Sequence, residues 1–410
     1  MSEKNFSPLI AAVMASFAFG AIAQTTGAVK PAYEIPTGES RNEDGPRGLN
    51  IGEGLALYPS VVAAFGRDDN IFLSSSNKKS SNVYSLAPGL KLQARSASSI
   101  YTIDYNSRVA RYDNSRADDY SDYHLGGTGE FVFSSRVGLR LGLEHNKGHD
   151  ARGSTDRGSS AEPDLFKNSG VSGLFAYGGN EASGRIELEA GSFRKRYLNN
   201  RAFTFGSDRD TNSFAGRFFA RVTAKTSFLV EARSDNLNYT SPVSLLDSTE
   251  RHYLAGVTWD ATAATSGTVK IGQIRKNFVS SRLQDFSGTG WDASVQWAPL
   301  TYSRLGFYAV KDFGESTGLG DFVLSKRYGA NWTHDWNSRL STIASLSRTN
   351  DDFANVSRSD TTDAIGFKVN YKVQRWLTVG GEFSNADRDS NNAAYRYKRN
   401  IYMLTVGATL

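Results

Sequence analysis

The connections between strand-like segments of this sequence alternate strictly in length, which constrains the fold more than any other feature. From Leu55 onward, eighteen segments alternate apolar and polar residues with a period of two, the pattern of half-buried strands. Eight connections are short, nine are longer and polar, and the two kinds interleave throughout. A soluble sandwich or propeller gives no reason for this sorting. An outer-membrane barrel does, because its periplasmic turns are short and its extracellular loops are long.

The pattern therefore predicts an all-β fold: a closed, transmembrane, antiparallel β-barrel of about eighteen strands, with both termini periplasmic. The expected strands are 55–66, 83–94, 99–112, 120–133, 136–146, 165–177, 183–197, 212–223, 227–240, 251–260, 267–276, 288–297, 302–313, 323–334, 339–349, 361–372, 375–385 and 395–410. Sixteen strands are the alternative, if segments 165–177 and 323–334 are loops.

The stretch GWDASVQWAPLTYSRLGFYAV, residues 290–310, shows the alternation at the level of single side chains. Trp291, Val295 and Trp297 lie on one face, polar residues lie on the other, and we expect a turn at residues 298–300. The 19 Tyr and 24 Phe of the chain fit the aromatic girdles at the two membrane interfaces. The sequence also ends on an alternating segment, so the last strand can close on the first and remove the free edges that lipid does not tolerate.

The N-terminus predicts export from the cytoplasm. Residues 1–23 contain an apolar run and end in Ala21-Ile22-Ala23, the small-x-small cleavage site of a signal peptide, with an uncleaved anchor as the alternative. Residues 24–54 are rich in Gly, Pro and charge, and we expect a flexible periplasmic segment there, with a periplasmic contact or pore plug as the alternative. Residues 55–410 form the predicted barrel, in the outer membrane of a Gram-negative bacterium. The chain has no Cys, so no disulfide is expected.

The polar face of the segments predicts a water-filled lumen that carries both charge signs in near balance. Because the signs balance, we expect a wide pore with weak ion selectivity, constricted by the long loops 67–82 or 147–164 if one of them folds inward. Alternatively, the charged side chains pair across strands and stiffen the wall. The candidate pore-lining residues are Lys91, Asp104, Arg108, Arg140, Glu187, Glu189, Arg217, Arg221, Glu231, Arg233, Lys270, Asp292, Lys368 and Glu382.

Catalysis is not expected. The sequence has no nucleophile elbow, zinc-protease motif or phosphate-binding loop, so we predict no catalytic residue, no cofactor and no metal site. His145, His149 and Asp150, in EHNKGHD, could bind a metal loosely. Their expected position at the mouth of a long polar loop favours a solvated segment instead.

One group of motifs resembles a known family. The first strand carries Leu57-Tyr58-Pro59-Ser60 and runs into GRDDNIFLSSS, the second carries Leu86-Ala87-Pro88-Gly89-Leu90, and the third ends in YTIDYNSRVARYDN. In this order they resemble the β-barrel porins of exopolysaccharide operons, the EpsL-type outer-membrane proteins. The resemblance is specific over residues 55–150 and only architectural beyond them.

This resemblance implies a role in exporting an exopolysaccharide across the outer membrane, with a diffusion porin for small solutes, general or substrate-selective, as the alternative. The expected partners are the surrounding lipid and lipopolysaccharide, the polysaccharide chain and a periplasmic polysaccharide export protein. No nucleic-acid partner is expected. A glycan would slide past hydroxyls, mixed charges and aromatic platforms such as Tyr308, because conduction requires many weak contacts.

Overall fold

A computed structural model describes residues 48–157, 160–179, 182–262 and 265–410, with the side chains of residues 261 and 262 left aside. All strands of these residues belong to one antiparallel sheet of nineteen strands. Eighteen of them, β2 to β19, pair with their sequence neighbours, and β19 pairs with β2 to close a barrel. The predicted signal peptide, and the predicted flexible segment up to residue 47, lie outside the described residues.

The strands are long enough to cross a bilayer with several residues to spare, since a tilted spanning strand needs about 9–11 residues. Their bounds are β1 Leu49–Gly52, β2 Leu55–Asp68, β3 Ser81–Arg95, β4 Ser99–Tyr112, β5 Tyr120–Ser134, β6 Val137–Asp150, β7 Asp164–Tyr177, β8 Gly184–Tyr197, β9 Arg209–Thr223, β10 Thr226–Tyr239, β11 Ser248–Thr262, β12 Thr265–Phe278, β13 Phe286–Leu300, β14 Ser303–Gly314, β15 Val323–Asp335, β16 Leu340–Phe353, β17 Ser359–Gln374, β18 Leu377–Ser390 and β19 Tyr397–Thr409. A short helix α1, Arg201–Thr204, follows β8. No helix among the described residues has the length and apolar character needed to span a membrane.

The eighteen-strand closed barrel predicted from the alternation is confirmed, and segments 165–177 and 323–334 are strands rather than loops. The predicted turn at residues 298–300 is wrong, because β13 continues to Leu300 and the turn is at residues 301–302. Pro299 is tolerated there because the pairing of β13 with β14 is irregular between Trp297 and Leu300. Residues 49–52, which we expected to be flexible, form β1 and pair with the start of β2.

The connections keep the predicted order of short and long. The short ones are 96–98, 135–136, 178–183, 224–225, 263–264, 301–302, 336–339 and 375–376, of which the part at 180–181 and all of 263–264 lie outside the described residues. The long ones, numbered loop 1 to loop 9 in chain order, are 69–80, 113–119, 151–163, 198–208, 240–247, 279–285, 315–322, 354–358 and 391–396, of which residues 158–159 lie outside the described residues. All long loops lie at one end of the barrel, because neighbouring strands are antiparallel.

The two faces of the barrel wall differ as the alternation requires. Large apolar side chains such as Leu143, Ile271 and Leu404 are exposed on the outer face. The polar positions between them, such as Lys270, point to the inside and are buried. An apolar outer band is what a barrel presents to lipid.

We predict that the long-loop end faces the cell exterior. A Ser75→Cys variant carries an exposed cysteine in loop 1, and Ser338→Cys carries one in the short turn between β15 and β16. On whole cells, an impermeant thiol reagent should label only Ser75→Cys, because the intact membrane shields the periplasmic turn. Both variants should react after lysis, and labelling of Ser338→Cys alone on whole cells would invert this topology.

Candidate functional site in the barrel lumen

The fourteen candidate pore-lining residues all occupy strand positions on the inner face. Each alternates with outward-facing apolar or exposed neighbours: Glu187 lies between Ile186 and Leu188, and Lys270 between Val269 and Ile271. The alternation alone was sufficient to assign this face, because a strand has only two faces.

The structure brings six of the candidates together in one ion-pair network on β8 to β13. Arg217 is its centre: the side chain donates to Glu189 at 2.8 Å and to Glu231 at 2.6 Å. Lys270 continues the network, with its Nζ at 3.2 Å from Glu231 and at 2.9 Å from Asp292. Glu187, at 3.8 Å from Arg217, is also paired with Arg185.

The side chains of Arg217, Glu231 and Lys270 are 9%, 2% and 2% exposed. The network therefore forms part of the wall rather than a set of free charges. Charges buried to this degree persist only when each has a partner.

Other candidates are paired more locally. Arg140 binds Glu130 at 2.9 Å, Arg233 binds Asp235 at 2.7 Å and Lys368 lies 3.7 Å from Glu382. Asp104 lies 3.1 Å from His124. Most charged side chains of the lumen are therefore paired, either across strands or along one strand. This is the alternative arrangement given in the sequence analysis, in which paired charges stiffen the barrel wall.

The three remaining candidates make other contacts. Arg221 donates to the carbonyl oxygens of Thr223 and Ala224 beside a short turn. Lys91 lies over the ring of Tyr58 at 5.7 Å, and Arg108 lies on the inner face of β4.

Loop 3 crosses the long-loop end of the barrel. It starts after β6, yet its residue Asp156 pairs with Arg358 of loop 8, which precedes β17. Asp156 also contacts Thr317 of loop 7: its backbone N donates to Thr317 Oγ1 at 3.1 Å, and that hydroxyl donates to its carboxylate at 2.9 Å. Arg388, on β18, donates to the carbonyl of Gly153 at 3.1 Å. In a ring of eighteen strands these partners lie on the far side from β6 and β7, whereas Arg157 next to Asp156 pairs with Asp150 and Asp164 at the ends of these two strands. Loop 3 thus links the two sides of the lumen at its long-loop end.

Arg358 is held firmly where it receives loop 3. Its guanidinium stacks on the ring of Tyr395 at 3.4 Å and on that of Phe353 at 4.2 Å, and it also pairs with Asp360. Burial alone would lower the pKa of Arg358, but Asp360 and Asp156 outweigh it and raise the pKa. The cation is thus permanently charged and rigidly placed, which makes it a fixed anchor for the loop carboxylate.

Loop 7 also enters the barrel. Glu315 accepts hydrogen bonds from Lys276 of β12 and from Tyr239 of β10, both inward-facing. Burial would raise the pKa of Glu315, but Lys276 and then Arg209 outweigh it and lower the pKa, so the carboxylate is ionised. Loops 3 and 7 meet at Asp156 and Thr317, and together they narrow the lumen.

Sequence reasoning named the segment 147–164 as a candidate constriction, but it missed loop 7 and the partners Arg358 and Glu315. Nothing in the sequence distinguishes these loop residues from solvated ones, because the partners that fix them in the lumen, Lys276 for Glu315 and Asp156 for Arg358, are 39 and 202 residues away along the chain. The alternation of apolar and polar residues does not predict contacts between residues so far apart in the chain.

The sequence EHNKGHD forms the end of β6 directly before loop 3, so it lies at the mouth of a long loop as expected, but it belongs to the strand, which extends to Asp150. His145 contacts Tyr123 and Ser169, whereas His149 lies 2.8 Å from Asp122. The two imidazoles serve different partners. Among the described residues, no group of three or more potential ligands is placed to hold a metal ion.

A closed barrel that is apolar outside and lined inside by paired charges and inserted loops defines an outer-membrane channel protein. The chain belongs to the porin family described as "Putative beta-barrel porin 2", whose model matches residues 44–410. The protein is accordingly located in the outer membrane of a Gram-negative bacterium. The resemblance to β-barrel porins is confirmed at this level, and the link to exopolysaccharide operons stays a prediction.

Several solved structures are similar. OccAB3 of Acinetobacter baumannii is 10% identical, with 87% of this chain and 99% of that chain covered and a TM-score of 0.49. OccK2 (OpdF) of Pseudomonas aeruginosa is 12% identical, with 87% and 98% covered and a TM-score of 0.49. The siderophore receptor PirA from Pseudomonas aeruginosa is 9% identical, with 86% and 80% covered and a TM-score of 0.45. No curated protein matches the chain.

Proposed function

We propose that this protein is a passive diffusion porin, without catalysis, that admits small polar solutes and excludes polymers. The observation that carries the proposal is the course of loop 3, whose Asp156 is fixed to Arg358 and Thr317 across the lumen. A loop held across the lumen by an ion pair narrows the passage, which favours small solutes over polymers. It is a poor arrangement for a glycan that must thread continuously.

The charge distribution supports low ion selectivity. Lumen cations such as Arg217, Lys270 and Arg140 each lie beside carboxylates, so their fields largely cancel within a few ångströms. A solute meets hydrogen-bonding groups of both kinds rather than a ring of one sign. This suits neutral or zwitterionic solutes, since selective ion channels use rings of one charge.

Export of an exopolysaccharide is the second candidate. It is favoured by the ordered motifs of residues 55–150, which resemble the EpsL-type porins. On this alternative, loops 3 and 7 would have to move aside to pass the chain, and a periplasmic export protein would be the natural partner to drive that change.

Liposomes that contain the full-length mature protein test the proposal. We expect glucose and glycine to permeate and a long dextran to be retained, because loops 3 and 7 narrow the lumen while its wall remains polar. A salt gradient should give a reversal potential near zero, because the lumen charges are paired. Liposomes with heat-unfolded protein are the control.

A deletion strain then separates the two candidates. The porin predicts slower uptake of a small solute and unchanged surface polysaccharide. Loss of surface polysaccharide with unchanged uptake would establish export instead and refute the porin.

A further inference from the structure

Three cations lie side by side on the outer face of the barrel near its long-loop end. Lys147 on β6 is directly opposite Lys167 on β7, and Lys167 is directly opposite Arg196 on β8. They share the outward face with Leu143 and Val171, which are 64% and 51% exposed. The cations therefore lie just beyond the edge of the apolar band, where strands leave the hydrocarbon and reach lipid headgroups.

The same patch contains a fourth cation and one neighbouring carboxylate. Arg194 is one outward position closer to the apolar band than Arg196, and its side chain is 67% exposed. Asp210 on β9 pairs with Arg196 at 2.7 Å and with Arg194 at 3.3 Å. The four cations and Asp210 define what we call the outer basic patch, which has an excess of three positive charges.

Some other cations on the outer face near the long-loop end have carboxylate partners. Arg348 and Asp363 form two hydrogen bonds between β16 and β17. Lys398 on β19 binds Asp387 on β18 at 2.8 Å. Cations also face each other at Arg251 with Arg275 and at Lys311 with Lys326. The outer basic patch differs from these pairs because three cations follow one another across neighbouring strands.

Like charges directly opposite each other on neighbouring strands destabilise a sheet. Two such contacts in succession, Lys147 with Lys167 and Lys167 with Arg196, would therefore be stabilised by an anion bound between the side chains. At the edge of an outer-membrane barrel the abundant anion is the phosphate of lipopolysaccharide. Arg binds phosphate with two parallel hydrogen bonds and Lys binds it as a point charge, so the patch contains both kinds of donor.

Groups suited to sugar hydroxyls adjoin the cations. His145 lies two residues before Lys147 on the same face, and its ring nitrogens contact the Tyr123 hydroxyl at 3.2 Å and Ser169 Oγ at 2.8 Å. These groups form a polar row between the cations and the apolar band. In a phosphorylated, acylated sugar bound here, the phosphate would contact the cations, the sugar hydroxyls would contact the polar row, and the acyl chains would lie on the apolar band.

We propose that the outer basic patch binds lipopolysaccharide through a phosphate on its glucosamine headgroup, with Lys147, Lys167 and Arg196 as the phosphate ligands. The site consists of residues on the outer wall alone, so this proposal does not depend on which solute the lumen transports.

Binding of labelled lipid A to the full-length mature protein in neutral detergent, followed by fluorescence anisotropy, tests the site. The double variant Lys147→Gln/Lys167→Gln should bind about 25-fold more weakly, taking the usual contribution of a cation at an anionic lipid surface. Lys147→Arg/Lys167→Arg should bind like the wild type. The matched control Arg348→Gln/Lys398→Gln removes two outward cations that have carboxylate partners, and it should not change the affinity.

Folding of each variant is checked by its shift on unheated gels, and dephosphorylated lipid A is the second probe. Weak binding of dephosphorylated lipid A to the wild type is expected. Equal affinity for both lipids would overturn the assignment of phosphate as the ligand. An equal loss of lipid A affinity in the double variant and in the control would show a general effect of charge. Displacement of lipid A by millimolar inorganic phosphate at constant ionic strength would show that the patch binds any anion. Either result would overturn the proposal.

Discussion

Replacing Arg217 with Met should lower the free energy of unfolding by about 3–5 kcal/mol, the cost of removing one partner from a buried ion pair. The guanidinium is 9% exposed and binds Glu189 and Glu231, and it lies 3.8 Å from Glu187. Without it, two nearly inaccessible carboxylates lose a cation that water cannot fully replace. Denaturant unfolding of the barrel in lipid vesicles, followed by tryptophan fluorescence, measures the change.

Two further variants isolate the cause. In a double-mutant cycle of Arg217→Met with Glu231→Gln, the coupling energy should be about 1.5–3 kcal/mol, the range for hydrogen bonds to charged groups. Arg348→Met, which breaks an exposed pair on the outer face, should leave stability unchanged within error. If Arg348→Met and Arg217→Met destabilised equally, burial of the network would not be the reason.

The sequence predicted the barrel closely because lipid and water impose opposite demands on alternate residues. The sequence of each strand therefore indicates which of its residues face lipid and which face the lumen. The length of each connection indicates at which end of the barrel it lies. The inward position of Arg217 and Lys270 followed from the same alternation. The alternation does not predict which side chains contact each other, because these contacts depend on the strand register and on residues that lie many strands away.

Arg217 and Arg221 show the difference. They share one face of β9, and alternation treats them alike. In the structure, Arg217 is enclosed by carboxylates, whereas Arg221 binds carbonyl oxygens near a short turn. Reversing both charges would place an acidic residue among Glu187, Glu189 and Glu231, so loss of folded protein should precede any change in ion selectivity. The constriction has the same origin, since loops 3 and 7 meet through residues 161 positions apart.

Replacing Asp156 with Ala should release loop 3 from the far wall and enlarge the pore. The carboxylate is 8% exposed, binds Arg358 and accepts a hydrogen bond from Thr317. Losing charge-assisted hydrogen bonds worth about 1.5–3 kcal/mol should increase the population of the released loop roughly 10- to 150-fold. Single-channel recording in a planar bilayer should then show long-lived larger current steps, and a sugar too large for the wild type should enter liposomes.

Glu162→Ala is the matched control for this prediction, because it also removes one carboxylate from loop 3. Glu162 bonds to Asn199 of loop 4, beside the root of its own loop, and not to the far wall. Its loss should leave the current steps unchanged. Larger steps in both variants would mean that the charge of the loop, rather than its attachment, sets the conductance. Unchanged steps in Asp156→Ala would mean that the loop stays in place without Arg358, and that the constriction is formed by the packing of loops 3 and 7 together.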